Sequence, residues 1–285
     1  MKTVTATPLG IAHCELAEGP VWLASEGDLV FVDITGRALH RYGWESGTLR
    51  TRGFGAMVCC AVPAEEGGLL VAVQDELVLV QDGQPDVSIA RDLPPGMRFN
   101  DGKCDPAGRL LIGMTHLDFE PGAGALLRLD PQGTLTVVVP DLTIANGLAW
   151  TTDGRTLYHI DSPARAMAVY DYAPDTGEII RRRALVDLAA HAGIPDGMAL
   201  DTDGRLWIAF WGGSSVKCFT PDGSHVATVE LPVSHVTSCC FAGPDLDVLT
   251  ITTARAGLQD EPGAGDIYVA EVGASGVPDV AWAPS

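Results

Sequence analysis

The chain has 285 residues, 46% of them hydrophobic, and its 37 acidic residues outnumber 18 lysines and arginines to give a net charge of −19. Binding to phosphate groups requires clustered Lys and Arg, so we expect no nucleic-acid partner and no anionic membrane surface. Most of the surplus acidic charge is attributed to a solvated surface, because one metal site needs only a few carboxylates.

Six segments share one pattern, in which small or apolar residues lead into a polar turn that is followed by a β-rich run. In chain order these segments are 19–34, 59–74, 101–115, 146–161, 196–211 and 239–254. The equivalent leucines after the turns lie 40, 41, 47, 49 and 43 residues apart; they are Leu29, Leu69, Leu110, Leu157, Leu206 and Leu249. A period of this length with several short strands is typical of a β-propeller blade.

A second pair of short strands follows the first around Gly-containing turns, as seen at 37–51, 124–138 and 167–182. Four strands in each of six units predict an all-β fold, a six-bladed β-propeller with four-stranded blades that spans 1–285 as a single domain. The alternative is a β-sandwich or barrel in which the similarity of the segments is accidental.

The ends of the chain are expected to close the ring. A first strand near 5–13 would join the last blade near 266–272 and 278–283, which removes an exposed sheet edge. No long amphipathic helix is predicted, and the nearest candidate, 183–193, is a short turn or helix at most.

The seven cysteines lack C-x-x-C spacing and include two adjacent pairs, Cys59-Cys60 and Cys239-Cys240. Adjacent cysteines rarely bridge to each other, and this spacing does not fit a zinc ribbon. The N-terminal segment has no apolar run typical of a signal peptide. We therefore predict reduced, partly buried thiols and a cytoplasmic location.

A polar residue stands at the same phase of four units, just before the hairpin; these residues are Glu18, Asn100, Asn146 and Asp196. The innermost strand of each propeller blade lines the central channel, so the ring would bring them together at one mouth. Their carboxylate and amide oxygens suit Ca²⁺, Mg²⁺ or Mn²⁺ and can also hold Zn²⁺ or Fe²⁺. The sequence thus predicts a site for one divalent metal ion of open identity, although Asn-Gly and Asp-Gly are also common turn dipeptides.

Five segments resemble the SMP-30/gluconolactonase/regucalcin family; they are 16–22, 98–109, 145–150, 194–209 and 243–254. The resemblance extends from about residue 10 to 270, and its R-F-N-D-G-K and P-D-G motifs are specific when they occur together in this order. It implies that Glu18, Asn146 and Asp196 bind one divalent metal directly. It also implies that Asn100 lies close to the metal, as a ligand or through water.

The same resemblance implies an enzyme that hydrolyses a small sugar lactone, with Arg98 and Asn100 in contact with the substrate. An acidic contact is expected about twenty residues after the arginine, which gives Asp118, with Glu120 nearby. The loop T-H-L-D-F-E-P-G-A-G around them differs from the common family versions, so the sugar preference is open there.

Lactone hydrolysis needs a water nucleophile, a base that takes its proton, and stabilisation of the oxyanion. A divalent metal can polarise the carbonyl, and Asp196 is the best candidate for the general base. Arg98 would anchor sugar hydroxyls or the ring oxygen through its forked donors. Neither a G-x-S-x-G elbow nor an H-E-x-x-H motif occurs, which disfavours a serine hydrolase and a zincin. His116 and His159 would lie near the mouth, where a structural role is the more common one.

Three other functions stay open: a calcium-binding regulatory protein, a phosphotriesterase or large-lactone esterase on the same scaffold, and an interaction propeller. The Arg98/Asn100 pair favours an enzyme, and the acidic mouth argues against a pure interaction propeller. Arabinono-, xylono-, glucono- and galactonolactone all fit the pattern, and the loops near 115–125 and 211–216 would select among them. A monomer is the default expectation, since a closed propeller buries its own core.

Overall fold

In a computed structural model, which describes residues 2–130, 132–258 and 260–284, the chain forms six sheets and contains no α-helix within these ranges. One turn of 3-10 helix spans Ser162–Ala164. The strands are β1 Lys2–Thr5, β2 Thr7–Pro8, β3 Ala17–Leu23, β4 Asp28–Asp33, β5 Ala38–Gly43, β6 Thr48–Gly53, β7 Val58–Pro63, β8 Leu69–Val73, β9 Glu76–Val80, β10 Val87–Ala90, β11 Met97–Cys104, β12 Leu110–His116, β13 Gly124–Leu129, β14 Leu135–Leu142, β15 Ala145–Trp150, β16 Thr156–Asp161, β17 Ala166–Ala173, β18 Glu178–Asp187, β19 Ile194–Leu200, β20 Leu206–Trp211, β21 Ser215–Phe219, β22 His225–Glu230, β23 Val236–Ala242, β24 Val248–Thr253 and β25 Ile267–Glu271.

Each sheet is one blade of a propeller. Blades 1 to 5 run outward as β3–β6, β7–β10, β11–β14, β15–β18 and β19–β22, and blade 6 contains β23–β25. The innermost strands contact one another in chain order, and β23 returns to contact β3. The ring is therefore closed, which confirms the predicted six-bladed β-propeller with four-stranded blades.

The N-terminus closes the ring as predicted, but the C-terminus does not. Thr7–Pro8 pairs with β25 as the fourth strand of blade 6, while β1 adds a parallel fifth strand to blade 5. Because β2 already fills the edge of blade 6, the segment 278–283 has no place there, and the prediction that it joins this blade is wrong. Trp282 instead bridges Ala64 in blade 2.

The segment 183–193, the nearest candidate for a helix, is largely extended: its first residues belong to β18, and turns follow. No helix in the described part of the chain combines the length and apolar character that crossing a membrane requires. All seven cysteines are buried and unpaired, as the sequence predicts.

The recurring Asp-x-x-Gly-Arg turn is held by its first residue. In blade 5, the fully buried Asp201 accepts hydrogen bonds from the backbone N–H groups of Asp203 (3.0 Å) and Arg205 (2.8 Å). Its second oxygen accepts from Arg205 Nε (2.7 Å) and Trp207 Nε1 (2.9 Å). Asp105 makes the matching bonds in blade 3. One buried carboxylate thus satisfies the turn backbone and fixes the hairpin.

We expect Asp201→Ala to lower the free energy of unfolding by about 3 kcal/mol, because several buried donors lose their charged acceptor. Urea-induced unfolding followed by tryptophan fluorescence measures this change. Asp203→Ala is the matched control, since that side chain is 70% exposed and should leave the midpoint unchanged. Equal, small effects of the two substitutions would contradict this role of Asp201.

Candidate metal and substrate site

All six innermost strands carry a β-bulge near the same end. The pairing with the second strand shifts register after Glu18, Val58, Phe99, Ala145, Pro195 and Val236. Each hairpin leucine pairs with a residue of the innermost strand of its blade. The residue four positions before that pairing partner is structurally equivalent in all six blades. We call these six residues the channel ring; they are Glu18, Cys59, Asn100, Asn146, Asp196 and Thr237. Bulges redirect side chains and are frequent beside functional sites. Four of the six ring members are the polar residues predicted from the sequence.

The other two ring members, Cys59 and Thr237, were not predicted. Both are buried. Thr237 Oγ1 donates to the carbonyl oxygen of Ala17 in blade 1 (2.6 Å), which makes it a link between blades. Burial raises the pKa of the Cys59 thiol, and the Arg98 guanidinium opposes this shift. Cys59 lies 10 residues before Leu69, the same separation as Asn100 and Asp196 from their leucines, so the repeat could have indicated it. Thr237 lies 12 residues before Leu249, outside the 10 or 11 of the other blades, so the sequence alone did not indicate it.

The glycines that follow the ring residues permit close packing of neighbouring inner strands. A Cβ on Gly147 would lie 2.6 Å from the carbonyl oxygen of Asp196 in the next blade. A Cβ on Gly197 would overlap the side chain of Ser238. Absence of a side chain at these positions is therefore what brings the ring residues together.

We expect Gly197→Ala to destabilise the protein by about 1–3 kcal/mol, because the new methyl group forces strands β19 and β23 apart. Thermal unfolding followed by circular dichroism measures the change. Gly55→Ala serves as control, since a Cβ there has no heavy atom within 4 Å and its φ is not positive. A melting temperature for Gly197→Ala equal to that of the control would show that strands β19 and β23 can accommodate the added methyl group.

Three predicted residues form one hydrogen-bonded chain across blades 3 and 4. Arg98 Nη1 donates to Asn100 Oδ1 (2.8 Å) and to the Phe99 carbonyl oxygen (2.8 Å). Asn100 Nδ2 donates to Asn146 Oδ1 (3.3 Å), and Asn146 Nδ2 donates to Ser162 Oγ (3.0 Å). Because both amide nitrogens are engaged, the oxygen of each amide has a fixed direction.

Glu18 and Asp196 are buried carboxyl groups that influence each other electrostatically. Burial raises the pKa of Glu18 to about 8, with the Asp101 carboxylate adding to this shift and the Gly19 N–H and Arg98 opposing it. Burial also raises the pKa of Asp196, and Glu18 and Asp101 raise it further. The structure thus brings two predicted ligands beside a third acidic residue, Asp101, that the sequence interpretation did not single out.

These residues fit a divalent cation. Asp196 Oδ1 is buried and has no hydrogen-bond partner among the described residues, which is costly unless another group compensates it. A cation between Glu18 and Asp196 would supply that partner and offset the repulsion that raises both pKa values. Glu18, Asn146 and Asp196 offer three oxygen ligands, and Asn100 is connected to them through Asn146.

The loop predicted to carry acidic substrate contacts lies beside Arg98, and its Phe119 is the residue that approaches the guanidinium. The ring of Phe119 lies 5.9 Å from Arg98 Cζ, and Phe119 adopts a positive φ of 56°. Asp118 and Glu120, on either side of it, are exposed, and the side chain of Asp118 is 92% exposed. The structure therefore does not place these two carboxylates in the buried network that holds Arg98.

The two histidines considered from the sequence differ in setting. His159 lies in β16, is almost fully buried, and its pKa is lowered by burial to about 4, so it is neutral at pH 7. His116 is half-buried at the end of β12, where its Nδ1 accepts a hydrogen bond from the Asp118 backbone N–H (3.2 Å). His159 is a core residue, whereas His116 shapes the start of the loop.

A second cluster with metal-binding residue types lies in blade 1. Cys14 Sγ is 3.7 Å from His40 Nε2, and the two side chains group with Asp33. Asp33, however, accepts backbone hydrogen bonds from Glu15, Leu16 and Gly36. Burial raises the pKa of Cys14 to about 12, with Asp33 adding to the shift, so its thiol stays protonated. We interpret this cluster as a structural hydrogen-bond network.

Comparisons with known proteins agree over nearly the whole chain. A family model described as the SMP-30/gluconolactonase/LRE-like region matches residues 16–255. Pentonolactonase XacC of Haloferax volcanii is 36% identical over 287 residues, covering 97% of each chain. Regucalcin of Danio rerio is 34% identical over 279 residues, covering 94% of this chain and 95% of its own.

A solved structure shares the fold. The calcium-binding protein regucalcin from Agrobacterium tumefaciens matches with a TM-score of 0.94 at 26% identity, over 99% of both chains. All four predicted polar members of the channel ring, together with Arg98, lie inside the segment that the family model matches.

Proposed function

The chain belongs to the SMP-30/gluconolactonase/LRE-like family, and on that premise we propose that it is a divalent-metal-dependent lactonase that opens a sugar-acid lactone to the aldonic acid. One observation carries the proposal: two buried carboxyl groups with raised pKa values converge beside a fixed arginine, and one carboxyl oxygen has no partner among the described residues. This arrangement destabilises the empty site and suits a cation plus a polar substrate.

Glu18, Asn146 and Asp196 would hold the cation. The hydrogen bond from Asn146 Nδ2 to Ser162 Oγ keeps the amide oxygen of Asn146 directed away from Ser162, so the ligand set is preorganised. When bound, a divalent cation supplies Lewis acidity toward the lactone carbonyl and charge stabilisation for the oxyanion.

Asp196 would act as the general base. Its unpartnered Oδ1 would bind the cation, and its other carboxylate oxygen would accept a proton from the water whose oxygen attacks the lactone carbonyl carbon. The bond between that carbon and the ring oxygen then breaks, and the proton passes to the leaving alkoxide as a hydroxyl group. Burial, Glu18 and Asp101 raise the pKa of Asp196 in the cation-free site. The cation would offset part of this shift, which keeps the carboxylate ionised and ready to accept the proton.

Arg98 would position the substrate. Its Nη1 is committed to Asn100 and to the Phe99 carbonyl, and the guanidinium also contacts the Cys59 thiol. These contacts fix the plane of the guanidinium, and its remaining donors would bind the lactone. Asn100 supports this orientation and links it to Asn146. We extend the proposal to Asp118 and Glu120 as contacts for sugar hydroxyls from the exposed loop.

The test is hydrolysis of arabinono-, xylono-, glucono- and galactonolactone by chelator-treated protein, before and after Ca²⁺, Mg²⁺, Mn²⁺, Zn²⁺ or Fe²⁺ is added back. We expect turnover of one or more lactones that depends on the cation, and the panel identifies both the sugar and the metal. No hydrolysis above the spontaneous rate with any cation would refute the lactonase. Calcium binding without turnover would instead favour the second candidate, a calcium-binding protein, as the name of the Agrobacterium structure suggests.

A further inference from the structure

A large aromatic side chain is exposed beside the candidate site. Phe119 lies in the loop that follows β12, and 48% of its surface is exposed. The centroid of its ring lies 5.9 Å from Arg98 Cζ. Val137 is similarly exposed, at 52%, but it lies in the outermost strand of the same blade, away from the inner strands. Ligand sites typically combine aromatic surface with a few polar groups, which is the combination that Phe119 and Arg98 offer.

The backbone of the loop fixes the position of the Phe119 ring. The Phe119 N–H donates to the His116 carbonyl oxygen (2.9 Å), and the Asp118 N–H donates to His116 Nδ1 (3.2 Å). The Leu117 N–H donates to the Gly96 carbonyl oxygen (2.9 Å). These bonds hold Phe119 at a φ of 56°, in the left-handed region that bulky residues rarely adopt. An unfavourable conformation enforced by its surroundings is frequent in ligand-binding loops.

Phe119 is also the exposed neighbour of the Arg98 guanidinium. Arg98 Nη1 donates to Asn100 Oδ1 and to the Phe99 carbonyl oxygen, and the guanidinium contacts the Cys59 thiol. These three partners are buried, whereas the Phe119 ring is half exposed. A lactone that binds to Arg98 has to approach from solvent. It would therefore enter on the side of the guanidinium where the Phe119 ring lies.

A lactone ring has C–H groups on its faces and its ester oxygens and carbonyl at its edge. The C–H face can pack on an aromatic ring and leave the polar edge free for Arg98. A hydroxyl group directed into the aromatic ring would lose its water without gaining a hydrogen-bond partner. An aromatic contact of this kind thus discriminates between lactones by the direction of their hydroxyl groups.

We propose that Phe119 is a substrate-contacting residue that packs against the C–H face of the lactone ring held by Arg98. This inference rests on the proposed lactonase function and specifies its substrate class as lactones whose hydroxyl groups project from the ring edge or from the opposite face. Phe119 contributes binding and takes no part in the proton transfers.

The experiment compares a sugar lactone with a lactone that has no hydroxyl group. The kcat and KM of wild type and Phe119→Ala are measured at saturating cation on the best sugar lactone and on δ-valerolactone. If δ-valerolactone is not turned over, its inhibition constant against the sugar lactone is measured instead. We expect KM, or the inhibition constant, to rise by roughly 5- to 30-fold for both compounds, because both present the C–H face. The kcat should change by less than about twofold, as expected when ground state and transition state lose the same contact.

Two further variants and one binding measurement separate this contact from other effects. Phe119→Tyr keeps the aromatic ring and should stay within about twofold of wild type in KM. Val137→Ala is the matched control, since it removes similarly exposed apolar surface from the outer strand of the same blade. Calorimetric titration should give the same cation affinity for wild type and Phe119→Ala. Weaker cation binding in Phe119→Ala would assign the effect to the metal ligands and overturn the inference.

The kinetic outcomes are distinct. Unchanged KM in Phe119→Ala, with an active wild type, overturns the inference and leaves the lactonase standing. A fall in kcat at constant KM also overturns it, because the ring would then act by orienting Arg98. A loss confined to the sugar lactone overturns it as well, since the contact would then be to a hydroxyl group. A wild type that hydrolyses no lactone refutes the proposed function and this inference with it.

Discussion

Replacing Asp196 with asparagine is expected to lower kcat/KM for lactone hydrolysis by about 10³-fold or more, because removal of a positioned base alone costs roughly 10²- to 10⁴-fold. Asparagine keeps the size of the side chain and one oxygen, but it cannot take a proton from water. The substitution also removes a negative charge from the ligand set, so the affinity for the cation should fall as well.

The measurement is steady-state hydrolysis at saturating cation, combined with circular dichroism to verify the fold. Asp187→Asn is the matched control, since Asp187 is exposed at the end of β18 and its role is to accept the Ala189 N–H, which asparagine can also do. Retention of more than about a tenth of wild-type activity in Asp196→Asn would remove this residue from the mechanism.

The ring and most of its polar members could be predicted because they repeat. The hairpin leucines recur at a regular spacing, and Glu18, Asn100, Asn146 and Asp196 occupy one phase of that repeat. Because the six blades close into a ring, residues at the same position of each repeat lie close together around the central channel. No contact between individual residues had to be known in advance.

Features that break the repeat could not be predicted in the same way. The C-terminal segment passes to blade 2 because β2 already occupies the edge of blade 6, and competition between the two chain ends is not visible in a local pattern. Phe119 turns toward Arg98 through a positive φ, a conformation that nothing in the loop composition indicates. His235 stacks on Trp211 of the preceding blade, so neither residue stands out within its own repeat.

The buried carboxyl groups show where function opposes stability. Most buried polar residues of the propeller are compensated, as in Asp201, which accepts four hydrogen bonds. For Glu18 and Asp196, burial and the nearby Asp101 carboxylate raise the pKa of both groups, and Glu18 raises that of Asp196 further. One oxygen of Asp196 also lacks a partner among the described residues. A site that is unfavourable when empty is typical of a place where a ligand supplies the missing interaction.

The substitution Glu18→Gln is expected to change the thermal stability in opposite directions with and without a cation. In chelator-treated protein, glutamine removes a buried carboxyl group that burial and Asp101 disfavour, so the melting temperature should rise by about 2–4 °C for each kcal/mol relieved. With cation at about 100 times its dissociation constant, wild type should gain about 2.7 kcal/mol, which corresponds to roughly 5–10 °C. The variant should lose most of this gain, because it lacks one of two charged ligands.

Differential scanning calorimetry of both proteins, with chelator and with each cation, measures the two effects in one experiment. Glu178→Gln is the control, since Glu178 is exposed in the outer strand β18 and should leave both melting temperatures unchanged. A Glu18→Gln variant that melts below wild type in chelator and keeps the full cation-induced increase would show that Glu18 is structural and that the cation binds elsewhere. The prediction is that Glu18→Gln melts above wild type with chelator but gains less from the cation. Both effects occur together only if the same carboxyl group destabilises the cation-free site and binds the metal.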